Sequence, residues 1–240
     1  MSPQQQAKDI IKKTGIQGGL IVHIGCGDAK LTAALRVNER YLVHGLDPDA
    51  KNVTKARKYL QSIGQYGTVM IDRLPATSLP YVDNSVNLLV GEDLGTISKD
   101  EVMRVLTPNG VAYFMKNKKW TKTSKPRSDE IDEWTHFLYD ASNNAVSHDT
   151  TVDMTNHIQW ICEPKSARSH DHLASMSVAV SSNGRLFYIA DEGPLEALTF
   201  PSKWFLHARD AFNGVLLWKK PIGPWEGHLR GFRTGPPEIH

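Results

Sequence analysis

A glycine-rich turn and two carboxylates are the residues of this sequence whose types and spacing point to chemistry. Gly25 and Gly27 lie in LIVHIGCGDAKL, between an apolar run and a helix-forming run. Glycines at such a turn let the backbone approach a ligand, and the free N–H groups at a helix start attract negative charge. Asp47 follows the next apolar run, where a carboxylate can accept hydrogen bonds from the hydroxyls of a ribose. Asp72 ends the third run and can receive an adenine amino group.

Each of these residues also has a purely structural interpretation. Asp47, in LDPDA, can cap a helix that begins at Ala50, and Asp72 can be a turn residue. Dinucleotide-binding turns follow the pattern G-x-G-x-x-G, but its sixth position here is Lys30. The shorter pattern G-x-G-x-G fits better, with Ala29 in place of the last glycine. Taken together, the order and spacing of the glycines and acids favour nucleoside binding.

The elements that must position these residues alternate between strands and helices. Short β-branched runs separated by helical stretches, up to residue 117, predict an α/β fold with a parallel sheet covered by helices. The predicted strands are 20–24, 42–46, 68–71, 86–90 and 111–114. The predicted helices are 5–14, 30–36, 50–63 and 99–106. Parallel strands end at the same edge of a sheet, so the turn and both acids should meet there.

The second part of the chain has a different pattern. Residues 118–174 are predicted to be a linker followed by irregular packed loops, so no sixth or seventh strand is expected after the fifth. Beyond them, apolar runs alternate and are interrupted by the pairs Asn183-Gly184 and Asn213-Gly214, which are strong hairpin signals. We therefore predict an α/β domain over residues 1–117 and an all-β segment over residues 175–240.

Charge and composition restrict the possible partners. The 240 residues carry a net charge of +2, which gives no global support for nucleic-acid binding. A local basic stretch between Lys116 and Arg127 is interpreted as part of a solvated linker. The sequence has neither a run of 18 apolar residues nor a signal-peptide core, so we expect a soluble chain without a membrane segment. Export of a longer protein and the cellular compartment stay open.

The cysteines and histidines give no metal or disulfide prediction. Cys26 and Cys162 are far apart and match no zinc spacing. The run His170-Asp171-His172, with His148 earlier in the chain, has two rings spaced as on one face of a strand. No further ligand spacing accompanies these histidines, so we assign no metal site.

Four stretches resemble the successive motifs of class I S-adenosylmethionine-dependent methyltransferases: VHIGCGDAKLT, VHGLDPDAKNVTKARKYL, LPYVDNSVNLLV and VMRVLTPNGVAYF. The resemblance covers roughly residues 18–115 and implies a truncated Rossmann-like core, S-adenosylmethionine as cofactor, and methyl transfer to an unidentified acceptor. It also implies that the turn meets the methionine part, that the acid after strand two holds the ribose, and that the acid after strand three lies near the adenine. By matching position, these roles fall to Gly25, Gly27, Asp47 and Asp72. The complete predicted set of cofactor-binding residues also includes His23, Cys26, Pro48, Arg73 and Glu92.

Two positions bear on whether the domain is catalytic. His23 stands where the family usually has an acid, so a charge-assisted contact to the cofactor's ammonium group would be lost; the alternative is a core histidine. Glu92 and Asp93 are the carboxylates near the expected acceptor side, and they are candidates for a catalytic base or for a solvated loop. A module that binds the nucleoside without turnover is the alternative function.

The end of the chain carries a second resemblance. GRLFYIADEGP and LHARDAFNGVLLWKKPI resemble blade segments of pyrroloquinoline-quinone-type β-propellers, with the pattern Asp210-Ala211-x-x-Gly214-x-x-x-Trp218. The whole chain resembles the N-terminal portion of large bacterial propeller proteins, which implies that further blades lie outside it. Pyrroloquinoline quinone is implied only for a complete propeller. The first domain would then be an accessory domain of a quinoprotein-like binding or redox protein.

Overall fold

The chain divides into two units, Met1–Ser128 and Asp129–His240. The computed structural model describes residues 1–75, 77–116, 119–151, 158–163, 176–193 and 203–223. The first unit combines helices with a sheet of six strands, and the second contains an antiparallel sheet of four strands.

The first unit has the predicted parallel α/β architecture. Its helices are α1 Pro3–Thr14, α2 Lys30–Leu35, α3 Ala50–Ser62 and α4 Lys99–Val105. Its strands are β1 Gly19–Ile24, β2 Tyr41–Asp47, β3 Val69–Arg73, β4 Val86–Gly91, β5 Leu106–Lys116 and β6 Lys119–Ser124. The order across the sheet is β3-β2-β1-β4-β5-β6, with β1 to β5 parallel and β6 antiparallel to β5. The five predicted strands and four predicted helices are all present, although several ends differ.

Burial on both faces explains the apolar runs of the central strands. All six residues of β1 are buried. On one face Ile21 and Val43 pack with residues of α1, α2 and α3, and on the other face Val22 and Leu89 pack with residues of α4. Strands covered on both faces read as continuous apolar runs rather than alternating ones. This is why the sequence alone locates β1, β2 and β4.

The sixth strand corrects the prediction that the fifth strand is followed directly by a linker. The strand β6 pairs antiparallel with β5, so the basic stretch is part of the sheet. Lys122 Nζ donates to the carbonyl of Thr14 at 2.8 Å, and Lys125 Nζ donates to Asn84 Oδ1 at 2.6 Å. The strand was missed because it is an edge strand with exposed lysines and threonines, which typically protect such edges from pairing with other chains.

The second unit contains the predicted all-β structure among its described residues. Its strands are β7 Met176–Ser182, β8 Arg185–Asp191, β9 Trp204–Asp210 and β10 Leu216–Pro221, arranged as an antiparallel meander in the order β10-β9-β8-β7. Asn183 and Gly184 join β7 to β8 with φ of 50° and 70°, which is the two-residue hairpin turn that the Asn-Gly pair predicts. Asn213 and Gly214 lie in the longer connection between β9 and β10.

The described residues contain neither a candidate membrane-spanning helix nor a candidate metal-binding cluster. No helix there combines the length and the apolar character that crossing a membrane requires. No group of three or more His, Cys, Asp and Glu in the same part of the chain could hold a metal ion. The run His170-Asp171-His172 lies outside the described residues, whereas His148 Nδ1 is 3.0 Å from the hydroxyl of Tyr139.

Candidate functional site

The sheet of the first unit has a reversal of strand order between β1 and β4. In open parallel sheets, ligands bind in the crevice at the carboxyl ends of the strands at such a reversal. A cavity of about 520 Å³ opens here, within the usual range for small-molecule sites. We call it the switch-point cavity. The glycine turn after β1 and residues 92–95 after β4 form two of its walls.

The glycine turn requires a left-handed backbone at three positions. Gly25, Gly27 and Ala29 have φ of 71°, 54° and 61°. A Cβ added at Gly25 or Gly27 would meet nothing within 4 Å, so both glycines face open space that a ligand can enter. Ala29 adopts the same conformation, at a cost of roughly 1 kcal/mol that a third glycine would avoid.

The N–H groups of this turn are already used within the protein. Gly25 and Cys26 donate to the carbonyl of Leu46 at 2.8 and 3.2 Å. The amide of Gly27 donates to Asp47 Oδ2 at 2.8 Å. The turn therefore does not offer these three amides to a phosphate, unlike a dinucleotide-binding loop.

Asp47 is buried beneath the turn, with 3% of its surface exposed. Besides Gly27, it accepts hydrogen bonds at Oδ1 from the amide of Asp49 at 3.0 Å and from Asn52 Nδ2 at 3.1 Å. A carboxylate has about four acceptor positions, so roughly one is left by these contacts. Asp47 itself does not line the switch-point cavity, whereas its neighbours Gly27 and Pro48 do. The interpretation of Asp47 as the helix cap is wrong, because the cap of α3 is Asp49, whose Oδ1 accepts from the amide of Lys51.

His23 and Cys26 line the cavity as neutral groups. The ring of His23 is buried, and its Nδ1 lies 2.8 Å from Thr32 Oγ1. Burial lowers the pKa of His23 to about 4, although the carboxylate of Asp47 acts in the opposite direction. Burial, together with Asp47, raises the pKa of the Cys26 thiol to about 12. At neutral pH the position that the family usually fills with an acid is therefore uncharged.

Asp72 is not brought to the cavity. Its Oδ1 accepts from Arg57 at 2.5 Å and its Oδ2 lies 3.0 Å from His44 Nε2, which directs the carboxylate toward α3. Neither Asp72 nor Arg73 lines the cavity, whereas the next residue, Leu74, does. Sequence spacing locates the end of β3 but does not show which face of the strand the carboxylate takes.

Acidic side chains dominate the charge of the cavity. Asp28, Glu92 and Asp93 all line it, and Pro48 lies beside them. Asp28 forms an ion pair with Lys30 at 2.9 Å, and Asp93 Oδ1 accepts from the amide of Gly95 at 3.1 Å. Among the described residues that line this cavity there is no lysine or arginine, and the one histidine is neutral.

Trp120 and Gln6 are among the lining residues that the sequence prediction does not include. Trp120 lies on β6 and stacks on Tyr113 with ring centroids 4.9 Å apart and planes 14° apart. Gln6 comes from α1. The signal for Trp120 was available, because the stretch KWTKTS alternates as a strand does, but its lysines suggested a linker. No sequence signal singles out Gln6.

Comparison with known protein families gives a match within the first unit. The family described as "Methyltransferase domain" matches residues 21–110. No curated protein matches the sequence.

Among solved structures, this chain is similar to a putative S-adenosyl-L-methionine-dependent methyltransferase from Methanococcus maripaludis, at 24% identity and a TM-score of 0.42. The similarity covers 47% of this chain and 54% of that one. Another similar structure is geranyl diphosphate C-methyltransferase from Streptomyces coelicolor in complex with Mg²⁺, geranyl diphosphate and S-adenosyl-L-homocysteine, at 16% identity and a TM-score of 0.42, covering 46% and 44%. The chain thus spans about half the length of these proteins. Residues 21–110 of the first unit are thus similar to the family described as a methyltransferase domain.

Proposed function

We propose that the first unit binds S-adenosylmethionine in the switch-point cavity and transfers its methyl group to an acceptor. The family match over residues 21–110 supports methyl transfer in general. The cavity at the strand-order reversal and the left-handed glycine turn that lines it support the location, and Asp47 holds that turn through the amide of Gly27.

The observation that carries the proposal is the charge of the cavity. S-adenosylmethionine has a sulfonium and an ammonium group, whereas a dinucleotide has two phosphates. Asp28, Glu92 and Asp93 line the cavity, and the amides of Gly25 and Gly27 are occupied within the protein. Carboxylates at close range favour a cation and disfavour a pyrophosphate. The site therefore suits the sulfonium cofactor better than a nicotinamide or flavin dinucleotide.

Each lining group has a proposed task. The open backbone of Gly25, Cys26 and Gly27 would lie against the methionine part, and Glu92 would attract its ammonium group. The remaining acceptor position of Asp47 would receive a ribose hydroxyl. Pro48 and Leu74, by contrast with Asp72 and Arg73, would contact the adenosine because both line the cavity.

The bound cofactor would supply an electrophilic methyl group on a positively charged sulfur. The protein then has mainly to align an acceptor atom with that carbon, since approximation accounts for most of the catalysis in such a displacement. Asp93 and Glu92 line the wall after β4 and can take a proton from an acceptor that carries one.

Isothermal titration calorimetry tests the proposal. S-adenosylmethionine and S-adenosylhomocysteine are expected to bind one per chain, and NAD is expected not to bind. Binding of NAD in place of the sulfonium cofactor would contradict the charge argument. Failure of both adenosyl ligands to bind would remove the proposal altogether.

For the second unit we propose a role as one blade of a β-propeller. A four-stranded antiparallel meander is the repeating element of that fold. Asp210 Oδ1 accepts from the amides of Phe212 and Asn213, which shapes the connection before Gly214. The ring of Trp218 lies 6.0 Å from that of Phe187 on β8.

The coding sequence beyond His240 tests the blade proposal. Further copies of the Asp-Ala-x-x-Gly-x-x-x-Trp pattern are expected there, and a role for pyrroloquinoline quinone would require them. A stop codon or an unrelated sequence would contradict it.

A further inference from the structure

A second cavity of about 300 Å³ lies on the face of the first unit's sheet that α4 covers. Its floor is apolar and includes Ala112 and Phe114 of β5. These pair directly across the ladder with Thr123 and Thr121 of β6, which also line the cavity, so all four side chains share one face.

Within the described part of the first unit, the connection between β5 and β6 leaves this cavity without a covering helix after β5, although Ala112 and Phe114 at its floor are largely buried. Only residues 117–118 separate the two strands, so no helix can follow β5 and pack over it. The preceding helix, α4, has seven residues and contributes Val102 and Met103 to the cavity wall. The result is an apolar groove bounded by a short helix on one side and an edge strand on the other.

The rim of the groove carries positive charge at one end. Lys99 is the first residue of α4 and Lys116 is the last residue of β5, and both line the cavity. Asp93 is the acidic residue of the lining and stands at the same carboxyl end of the sheet. An apolar cavity with a few charged groups at one end is the usual form of a site for a small amphipathic molecule.

The groove and the switch-point cavity share a wall. Asp93 and Leu94, in the loop after β4, line both of them. A molecule in the groove with its charged end toward Lys99 and Lys116 would therefore have that end next to the proposed cofactor site.

We propose that this groove is the acceptor subsite and that the acceptor is a small apolar carboxylic acid. Its carboxylate would lie between Lys99 and Lys116, and its apolar part would lie over Phe114 and Met103. The inference rests on the proposed function, because it identifies the acceptor class for the same reaction.

Methyl transfer to a carboxylate requires no catalytic base. A carboxylic acid is ionised at neutral pH. One carboxylate oxygen forms a bond to the methyl carbon while the carbon–sulfur bond breaks, and that electron pair stays on sulfur. The products are a methyl ester and S-adenosylhomocysteine, and no proton is removed.

Binding of octanoate tests the inference, with octylamine as the probe of equal length and opposite charge. Titrations of the full chain with and without S-adenosylhomocysteine are expected to show octanoate binding in the presence of the nucleoside and at least tenfold weaker binding of octylamine. Transfer of a labelled methyl group should give methyl octanoate, which mass spectrometry identifies.

Substitutions in the groove test whether octanoate binds there. Lys99→Gln and Lys116→Gln are each expected to weaken octanoate binding by about fivefold, corresponding to roughly 1 kcal/mol for one charge contact. Thr123→Trp, at an exposed strand position facing the groove, should fill it and abolish octanoate binding. Lys13→Gln, at an exposed position of α1, is the matched control and should change nothing.

The outcomes separate the two proposals. Octylamine binding as tightly as octanoate, or octanoate binding unchanged by all three groove variants, would overturn the acceptor inference while S-adenosylhomocysteine still bound. Loss of S-adenosylhomocysteine binding in the unaltered protein would overturn the proposed function. Octanoate binding that is lost in Thr123→Trp while the nucleoside affinity is unchanged supports both the groove and its independence from the cofactor site.

Discussion

Asp47 connects the glycine turn to the proposed ribose contact, so a change there should affect two measurable quantities. It accepts three hydrogen bonds from the chain, one from the amide of Gly27 and two at Oδ1. A buried carboxylate with three such partners fixes the local backbone and leaves little freedom to turn away from a ligand. The same group is therefore expected to support both stability and affinity.

Asp47→Asn removes the negative charge while keeping the size of the side chain. We expect S-adenosylhomocysteine affinity to fall about thirtyfold, or ~2 kcal/mol, because a charge-assisted contact is replaced by a neutral one. Calorimetry measures it. Asp49→Asn is the control, since asparagine caps helices as well as aspartate does. Equal affinity losses in the two variants would contradict the assignment.

Gly27→Ala separates backbone strain from ligand approach. Gly27 and Gly64 have φ of 54° and 66°, and an added Cβ meets nothing within 4 Å at either position. Both alanine variants should lose about 1 kcal/mol of stability through the left-handed conformation. Only Gly27→Ala should also weaken S-adenosylhomocysteine binding, because only that Cβ would project into the cavity. Similar affinities for the two variants, by calorimetry, would show that the ligand does not approach the turn.

His23 should give the protein a pH-dependent stability. Burial lowers its pKa from 6.5 to about 4, so the unfolded chain binds the proton at a higher pH than the folded one. Stability is therefore lost as pH falls from about 6.5 toward 4 and levels off below, by on the order of 3 kcal/mol in total. Urea denaturation at pH 7 and pH 5 measures the loss, and His23→Asn should reduce it. An unchanged pH dependence in that variant would contradict a buried neutral ring.

At the scale of elements, Arg104 of α4 forms hydrogen bonds with the loop that leads into β4. Its guanidinium donates to Glu101 Oε2 and Asp83 Oδ1, both at 2.7 Å, and to the carbonyl of Tyr81 at 2.9 Å. Glu101 in turn accepts from the amide of Leu79 at 2.6 Å. Arg104, in the stretch VMRVLTPNGVAYF, thus holds the chain before β4, the strand that is followed by Glu92 and Asp93.

Arg104→Ala is expected to lower the free energy of unfolding by about 3 kcal/mol, because several hydrogen bonds to charged and carbonyl partners are lost together. Arg104→Lys should recover only part of this, since a lysine lacks the planar fork. Chemical denaturation compares the two with Arg40→Ala, an exposed control expected to change stability by less than about 0.5 kcal/mol. A loss for Arg104→Ala no larger than that of the control would contradict the proposed role.

Helices and strands could be predicted from the sequence where their burial produces a recognisable pattern of apolar residues. The runs around Ile21, Val43 and Leu89 are apolar because they are covered on both faces, and Asn183-Gly184 marks a hairpin by its backbone preference. The strand β6 was missed because an edge strand can be polar. Asp72 was misplaced because strand spacing gives the position along a strand, whereas Arg57 decides the direction of the side chain.

At the scale of the first unit, the two cavities divide opposite charges between them. The switch-point cavity is lined by carboxylates, and the neighbouring groove has Lys99 and Lys116 at its rim. In the proposed reaction, the sulfonium of S-adenosylmethionine and the carboxylate of the acceptor meet at Asp93 and Leu94. The sulfonium becomes an uncharged thioether and the carboxylate becomes an uncharged methyl ester. Because opposite charges attract more strongly away from bulk water, this arrangement favours their encounter at that wall.

The most direct test of the account is a ¹⁵N-labelled NMR titration of the whole chain with S-adenosylhomocysteine. We predict saturable shifts of the amides of residues 25–28 and 92–95 and of the indole of Trp120, because these groups line one cavity. The amides of residues 55–62, in the part of α3 that does not line the cavity, should stay unchanged. Saturable binding that shifts other amides but leaves residues 25–28 unaffected would contradict the central claim that the glycine turn holds the cofactor.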